Sequence, residues 1–143
     1  MVYVDNEISK EHLEKFLFAG DCWFTLQSKR TNRYFTYNIY KKGTSSIWFL
    51  KVRDIKNTIY SGYIRKTGNG YKYFHGIDVP IGKGDIRIVA FMWFLEHMND
   101  KDILSKISIR HIGKCCKCGK ALTDPQSINL GAGPYCAKIL FGE

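Results

Sequence analysis

Four of the five cysteines in this chain crowd into one stretch, HIGKCCKCGKALTDPQSINLGAGPYCAK, residues 111–138: Cys115, Cys116, Cys118 and Cys136. Cys22 stands far upstream. Thiolates are soft donors, and a tetrahedral Zn2+ takes four of them or a mixture with imidazole. Cys115 and Cys118 form a C-x2-C pair, the spacing at which two sulfurs of one tight turn converge on one ion. Gly119 follows, where a left-handed backbone costs little. Cys116 is only two residues from Cys118, a spacing that converges less readily, so it is expected to face away from the ion.

Cys136 is the third ligand by elimination, returned by the turn residues GAGP at 131–134. Pro134 suits the first turn of a closing helix over 134–141, and a cysteine near that helix start is favoured as thiolate. His111 is the best fourth donor, giving H-x3-C-x2-C-x17-C, with Cys22 or Cys116 as alternatives. Four protein donors would make one closed, structural zinc site with no open position. Lys114, Lys117, Lys120 and Lys138 lie nearby to offset thiolate charge. The plainer reading is free thiols in a turn.

The elements that must position this module are legible upstream. Ser9 as N-cap, Ile8 and Leu13 as a staple, and Leu13, Phe16 and Leu17 on one face predict a short helix ended by Gly20. Residues 23–29, 33–41, 46–53, 58–66 and 70–76 are rich in aromatic and β-branched residues and predict a five-strand antiparallel meander. Its turns are expected at Thr31-Asn32, Lys42-Gly43, Lys56-Asn57 and Gly68-Asn69-Gly70. Asp85 caps a helix over 86–98 that carries only Arg87, Glu96 and His97 as polar residues. Such a helix is expected to be buried across the sheet. A short strand over 103–112 leads into the cysteines. The sum is an α+β fold: an antiparallel sheet packed by one buried helix, a short N-terminal helix, and a zinc-ribbon-like C-terminal knuckle. The organisation expected is a lead-in at 1–22, the basic sheet and helix at 23–102, and a zinc module at 103–143 packed on the same domain.

Charge is unevenly spread over the 143 residues, whose formal net charge is +9. Residues 28–75 hold eleven Lys or Arg against the single acid Asp54, whereas residues 1–22 are net acidic. A concentrated positive field favours polyanions, nucleic acid first. The start of the chain lacks the pattern of a signal peptide, and the longest apolar run is too short to span a bilayer. A cytoplasmic protein with no membrane partner is therefore expected, and in a reducing compartment clustered cysteines hold metal rather than disulfides.

The stretch GKCCKCGKALTDPQSINLGAGPYCA, 113–137, resembles the short Cys-rich module that ends many small, mostly uncharacterised phage and prophage proteins. The pieces that carry the likeness are CxxCG at 115–119, LTDPQSI at 122–128 and GAGPYCA at 131–137. Softer similarity extends upstream through FTLQSKRTNRYFTYNI, IWFLKV, YSGYIRK and the aromatic helix AFMWFLEHM. The resemblance implies a phage-type accessory protein with zinc on Cys115, Cys118, Cys136 and His111, located in the cytoplasm of a host cell. It implies no activity.

Two functions compete. One sheet face is expected to present Tyr34, Tyr40, Phe49 and Tyr63 among Arg33, Lys41, Lys51, Arg53 and Arg65. Aromatics stack on unpaired bases and cations track phosphates, so such a face suits single-stranded nucleic acid. The alternative is a protein-interaction factor that inhibits a host defence or nucleic-acid-processing enzyme. Catalysis is not expected: Gly82-Lys83-Gly84-Asp85 lacks phosphate-loop spacing, and His12, His75 and His97 have no nucleophile or carboxylate partner in sequence. No small-molecule substrate is evident.

Overall fold

The computed structural model describes residues 6–142 apart from 42, 45, 56 and 69. The turn residues Lys42, Lys56 and Asn69 and the first five residues lie outside the described set. Five consecutive strands form the expected meander: β1 (Asp21–Ser28), β2 (Tyr34–Lys41), β3 (Ile47–Asp54), β4 (Asn57–Thr67) and β5 (Gly70–His75). A sixth, β6 (Ile107–His111), returns antiparallel beside β1, so the sheet order is β5-β4-β3-β2-β1-β6. The fold is α+β, as the sequence pattern indicates.

The helices are α1 (Leu13–Leu17), entered through a 3-10 turn at Lys10–His12, α2 (Ile86–His97), α3 (Ile103–Lys106), α4 (Pro125–Leu130) and α5 (Pro134–Phe141). Ser9 stands at the cap position with an extended backbone but makes no capping side-chain bond. The hydrophobic staple carries that entry instead: Ile8, Leu13, Phe16 and Leu17 are all buried. The expected strand over 103–112 begins with the single turn α3 and pairs only from Ile107.

Register and pleat sort every strand residue to one of two faces. Phe24 and Leu26 of β1, Tyr37 and Ile39 of β2, Leu50 and Val52 of β3, Ile64 of β4 and Ile109 of β6 are buried on the covered face. A bulge in β4 opposite Leu50 and Lys51 keeps both of its ends in phase with that core. α2 crosses the covered face and buries Ile88, Phe91, Phe94 and Leu95. Phe91 lies against Tyr37 and Tyr73 at centroid distances of 5.3 and 6.0 Å. The Tyr37 hydroxyl donates to the Arg87 carbonyl at 2.6 Å, which fixes the helix start over β2.

The helix departs from expectation in one respect. Only part of its surface is covered; Ile86, Val89 and Trp93 are exposed along a second stripe.

The edges are managed differently. Beside β6, Ile8 donates its N–H to the Ile109 carbonyl at 2.8 Å and His111 donates to Asn6 at 3.1 Å, so the N-terminal segment covers the edge. At β5, Phe18 stacks on Tyr71 with centroids 3.8 Å apart, and Trp48 Nε1 donates to the Phe18 carbonyl at 3.2 Å.

Candidate metal centre and nucleic-acid interface

The tail folds as a knuckle on the start of β1. Lys114 and Ala121 form an isolated antiparallel bridge, Cys115 N–H donates to the Lys120 carbonyl at 2.8 Å, and Gly119 N–H donates to the Cys115 carbonyl at 2.9 Å. Gly119 takes φ +77°, and a Cβ there would meet Asp21 Oδ2 at 2.7 Å, so both the turn and its closeness to β1 select glycine. Asp21 N–H donates to the Cys116 carbonyl at 2.9 Å, and Cys116 N–H donates to Gly131 at 2.9 Å. The knuckle is thus stitched to the sheet on one side and to the return segment on the other.

α4 was not foreseen. Its signals were present, however: Asp124 accepts from Ser127 N–H at 3.0 Å as N-cap, Pro125 fills the first helical position, and Gly131 ends the helix at φ +75°. This helix reverses the chain so that α5 begins at Pro134 and carries Cys136 inward, as the spacing predicts.

Cys115, Cys118 and Cys136 bring their sulfurs within 4.8 Å of one another, an arrangement that could hold a metal ion. Burial raises the Cys115 pKa, but N–H groups of Cys118, Gly133 and Lys117 aimed at its sulfur outweigh that and hold it below the ordinary thiol value. Such N–H bonds favour a thiolate. Cys136 is pushed up to about 12, by burial first and then by its bond to Cys115.

His111 does not join this group. It is buried at the end of β6, where Gly113 N–H donates to its Nδ1 at 2.8 Å and its Nε2 is hydrogen-bonded to the Ile128 carbonyl. The imidazole ties the knuckle's entry to α4. Coordination through Nδ1 would require breaking the Gly113 bond. The two alternatives also differ from the group. Cys116 is buried and its thiol is pushed up to about 12 by burial and then by Cys115; Cys22 is raised by burial first and then by Cys116 and Asp21. Both suit neutral thiols packed in the core.

The predicted nucleic-acid residues divide between the faces. Tyr34, Tyr40, Phe49, Lys51, Arg53, Tyr63 and Arg65 all project from the face opposite the core. Their register places Tyr40 opposite Phe49, Phe49 opposite Tyr63, and Tyr63 opposite Phe74, one unbroken aromatic row over four strands. Tyr40 and Phe49 are 5.3 Å apart and Tyr63 stacks on Phe74 at 5.0 Å. Cations sit within the row: Lys51 Nζ lies 4.8 Å over Tyr40 and Lys72 Nζ 5.4 Å over Phe74.

Arg33 and Lys41 are not brought to this row. Lys41 pairs with Trp48 on the other side and lies 5.2 Å over its ring; Arg33 lies beside the β1–β2 turn and lines a cleft against α2. Trp23, Tyr60, Lys72 and Phe74 belong to the open face and were missed. Alternation within WFTLQSK and GYKYFHG carries that signal for Trp23, Lys72 and Phe74; Tyr60 lies before the β4 bulge, which alternation does not reveal. A hollow on the same face lies among Gly20, Asp21, Trp23, Asn38, Tyr40, Lys41 and Lys51, so Lys41 borders it although its register is with Trp48; there Asn38 Nδ2 donates to Asp21 Oδ1 at 2.9 Å.

The remaining histidines serve local structure. His12 stacks on Phe141 at 4.3 Å, and His75 bridges the Tyr73 hydroxyl at 2.7 Å and the Ile81 carbonyl at 2.8 Å. His97 Nδ1 is bonded to the Trp93 carbonyl at 2.7 Å. Asp85 caps α2 through the Arg87 N–H at 2.9 Å, so the glycines before it form a loop and cap. No helix among the described residues is long and apolar enough to cross a membrane.

Comparison with known proteins finds one family. Residues 108–141, from β6 through α5 and including all three clustered cysteines, match DUF6011, a family of unknown function. No curated protein and no solved structure matches the chain. The similarity to a known family is therefore confined to the cysteine-bearing tail.

Proposed function

We propose that the chain is a binding protein that engages single-stranded nucleic acid on the open sheet face, with a structural Zn2+ holding the tail that braces that sheet. The observation that carries the reading is the row Tyr40, Phe49, Tyr63 and Phe74, aligned rung to rung on the face opposite α2 and flanked by Lys51, Arg53, Arg65 and Lys72. Adjacent strands lie about 4.8 Å apart, so successive rings offer a ladder on which splayed bases stack while cations meet the phosphates. Duplex DNA keeps its base faces stacked and gains only the charge contacts.

Zinc fits the donor chemistry. Three sulfurs suit a soft to borderline ion, and the C-x2-C knuckle with N–H groups aimed at its sulfur supplies the outer-shell bonds such ions use. With His111 held elsewhere, the three sulfurs leave one position of a tetrahedron without a protein donor, so the structural role proposed rests on the knuckle's bonds to β1 and to the return segment, which the ion would cross-link. The histidines outside the tail spend their ring atoms on stacking or local hydrogen bonds, which supports binding over catalysis. The likeness of the tail to phage and prophage modules supports an accessory role of phage type.

The test is an anisotropy titration of labelled single-stranded DNA, single-stranded RNA and a DNA duplex at two salt concentrations. Single strands are expected to bind tighter than duplex, with affinity falling steeply as salt rises. Absence of single-strand binding at low salt, or preference for duplex, rejects the reading.

A further inference from the structure

The covered face of the sheet is not wholly covered. Past α2, toward β1 and β6, a half-open cleft of about 1110 Å³ remains. Its floor is apolar sheet: Leu26, Phe35 and Ile107. One wall is α2, through Ile86, Val89, Ala90 and Trp93. Those four positions are the i, i+3, i+4, i+7 stripe of a helix, about 10 Å long. Burial would normally be expected of such a stripe, yet Ile86 is 52% exposed, Val89 51% and Trp93 38%.

The opposite rim is cationic. Lys29, Arg30, Arg33 and Lys106 line it, and no carboxylate does. Lys29 Nζ is spent on the Leu104 carbonyl at 2.5 Å, and Lys106 is 3.6 Å from Asp102. Arg30 and Arg33 have no ion-pair partner among the described residues.

A sheet floor, a helix wall and a charged rim define a berth for one more helix, since helices pack at 8–10 Å spacing and bury an apolar stripe. The lining chooses the occupant. The two aromatic residues of the lining, Phe35 in the floor and Trp93 on the wall, stand apart among Ile, Val, Ala and Leu, and Trp93 already stacks on His97 at 4.5 Å, so the cleft lacks the strand-to-strand aromatic row of the open face. A second copy of this chain would bring a further net charge of +9 to an already basic rim. An acidic partner satisfies both the apolar wall and the two unpaired guanidiniums.

We propose that this cleft receives an acidic amphipathic helix of a protein partner, laid beside α2 with its apolar stripe on Ile86, Val89 and Trp93 and its carboxylates on Arg30 and Arg33. The protein then has two binding surfaces on opposite faces of one sheet, and the second does not depend on the first being a nucleic-acid site.

The probe is a labelled synthetic helix of about 15 residues, Leu on one stripe and Glu elsewhere. Controls are a counterpart with Lys in place of Glu and a Glu peptide of the same composition with its stripe scrambled. The Glu helix is expected to bind at low salt, with affinity reduced about tenfold or more by Arg30→Glu with Arg33→Glu, and likewise by Val89→Asp. Phe49→Ala should leave it unchanged. Circular dichroism checks the folding of each variant; should Val89→Asp fail to fold, the arginine pair decides. The proposal is overturned if the Glu helix does not bind, if the Lys or scrambled peptide binds equally, or if single-stranded oligonucleotide displaces it. It is also overturned if the protein dimerises through this face, shown by sedimentation that Val89→Asp shifts to monomer.

Discussion

The two faces of the sheet are built from the same residue types and do different work. On the covered face Tyr37 and Tyr73 are buried, and each hydroxyl has a fixed partner, the Arg87 carbonyl and His75. Burial raises the Tyr37 pKa well above the ordinary tyrosine value, so it remains a neutral donor. On the open face, one residue along each strand, no hydroxyl bond among the described residues ties down Tyr34, Tyr40 or Tyr63. Tyr40 lies instead under Lys51 Nζ at 4.8 Å, and Tyr63 stacks on Phe74. Aromatic richness is thus two signals superposed at a period of two: one parity is buried in the core, the other lines the opposite face.

The strongest way to break the comparison is to remove what braces both faces at once. The knuckle bonds Asp21, whose Cα sits opposite Tyr40 at the end of the aromatic row, while Cys115 and Cys136 are buried beside the core and Cys118 is exposed. Metal analysis is expected to find one Zn2+ per chain. Cys115→Ser or Cys136→Ser should abolish it, and chelation of the wild type should cost several kcal/mol of stability, on the order of half the net stability of such a domain. Thermal melting with and without chelator reads this. A protein that stays metal-free yet melts unchanged would remove the ion from the architecture.

Next in size is a direct test of parity. Phe49→Ala and Tyr63→Ala should each weaken single-strand binding by about 1–3 kcal/mol, the value of one base–aromatic stack, with little change in melting. Tyr37→Phe should do the reverse: stability falls by about 1–3 kcal/mol because the Arg87 carbonyl loses its donor, and binding holds. If both classes of variant lose stability alike, the open face is simply more core.

Much of this was written in the sequence and some was not. The five meander strands and α2 are legible within about two residues because alternation and the Asp85 cap are local signals, whereas β6 begins at Ile107 rather than at 103 because α3 takes up the first turn. Three of the four proposed metal donors converge because C-x2-C and the GAGP return are also local. His111 rests on spacing and on the family likeness, and neither tells whether a nearby N–H or carbonyl will claim the ring first. Arg33 and Lys41 were assigned by proximity in sequence to open-face residues, although the pleat and the turn put them across the sheet. The exposed stripe of α2 was hidden because an all-apolar helix reads as buried, and whether every side finds cover is a fact of tertiary structure.

His111 offers a sharper question of intermediate size. As a strut between Gly113 and Ile128, its replacement by Ala should cost about 1–3 kcal/mol by orphaning buried groups, while metal content stays at one per chain. Stoichiometry measured on the folded variant decides. Zinc lost along with the imidazole would make His111 a ligand and the hydrogen-bonded ring the form it takes without metal.

The smallest expected effect tests the helix that makes one face covered. Asp85 caps α2 and pairs with Arg87 Nε at 2.9 Å; these bonds, the Arg87 side chain's first, hold its carboxyl below the usual carboxylate range. Asp85→Ala should cost about 1 kcal/mol at neutral pH. Because the folded pKa is lowered, the contribution is present in full above the unfolded carboxylate pKa and is lost as pH falls through the folded value. Urea melts of wild type and variant should therefore differ at neutral pH and converge as pH falls through and below the usual carboxylate range. Single-strand affinity should be the same for both, since the cap lies on the far side of the sheet from the aromatic row. A binding loss comparable to that of Phe49→Ala would mean that the two faces are coupled through α2, and that covering one face sets the shape of the other.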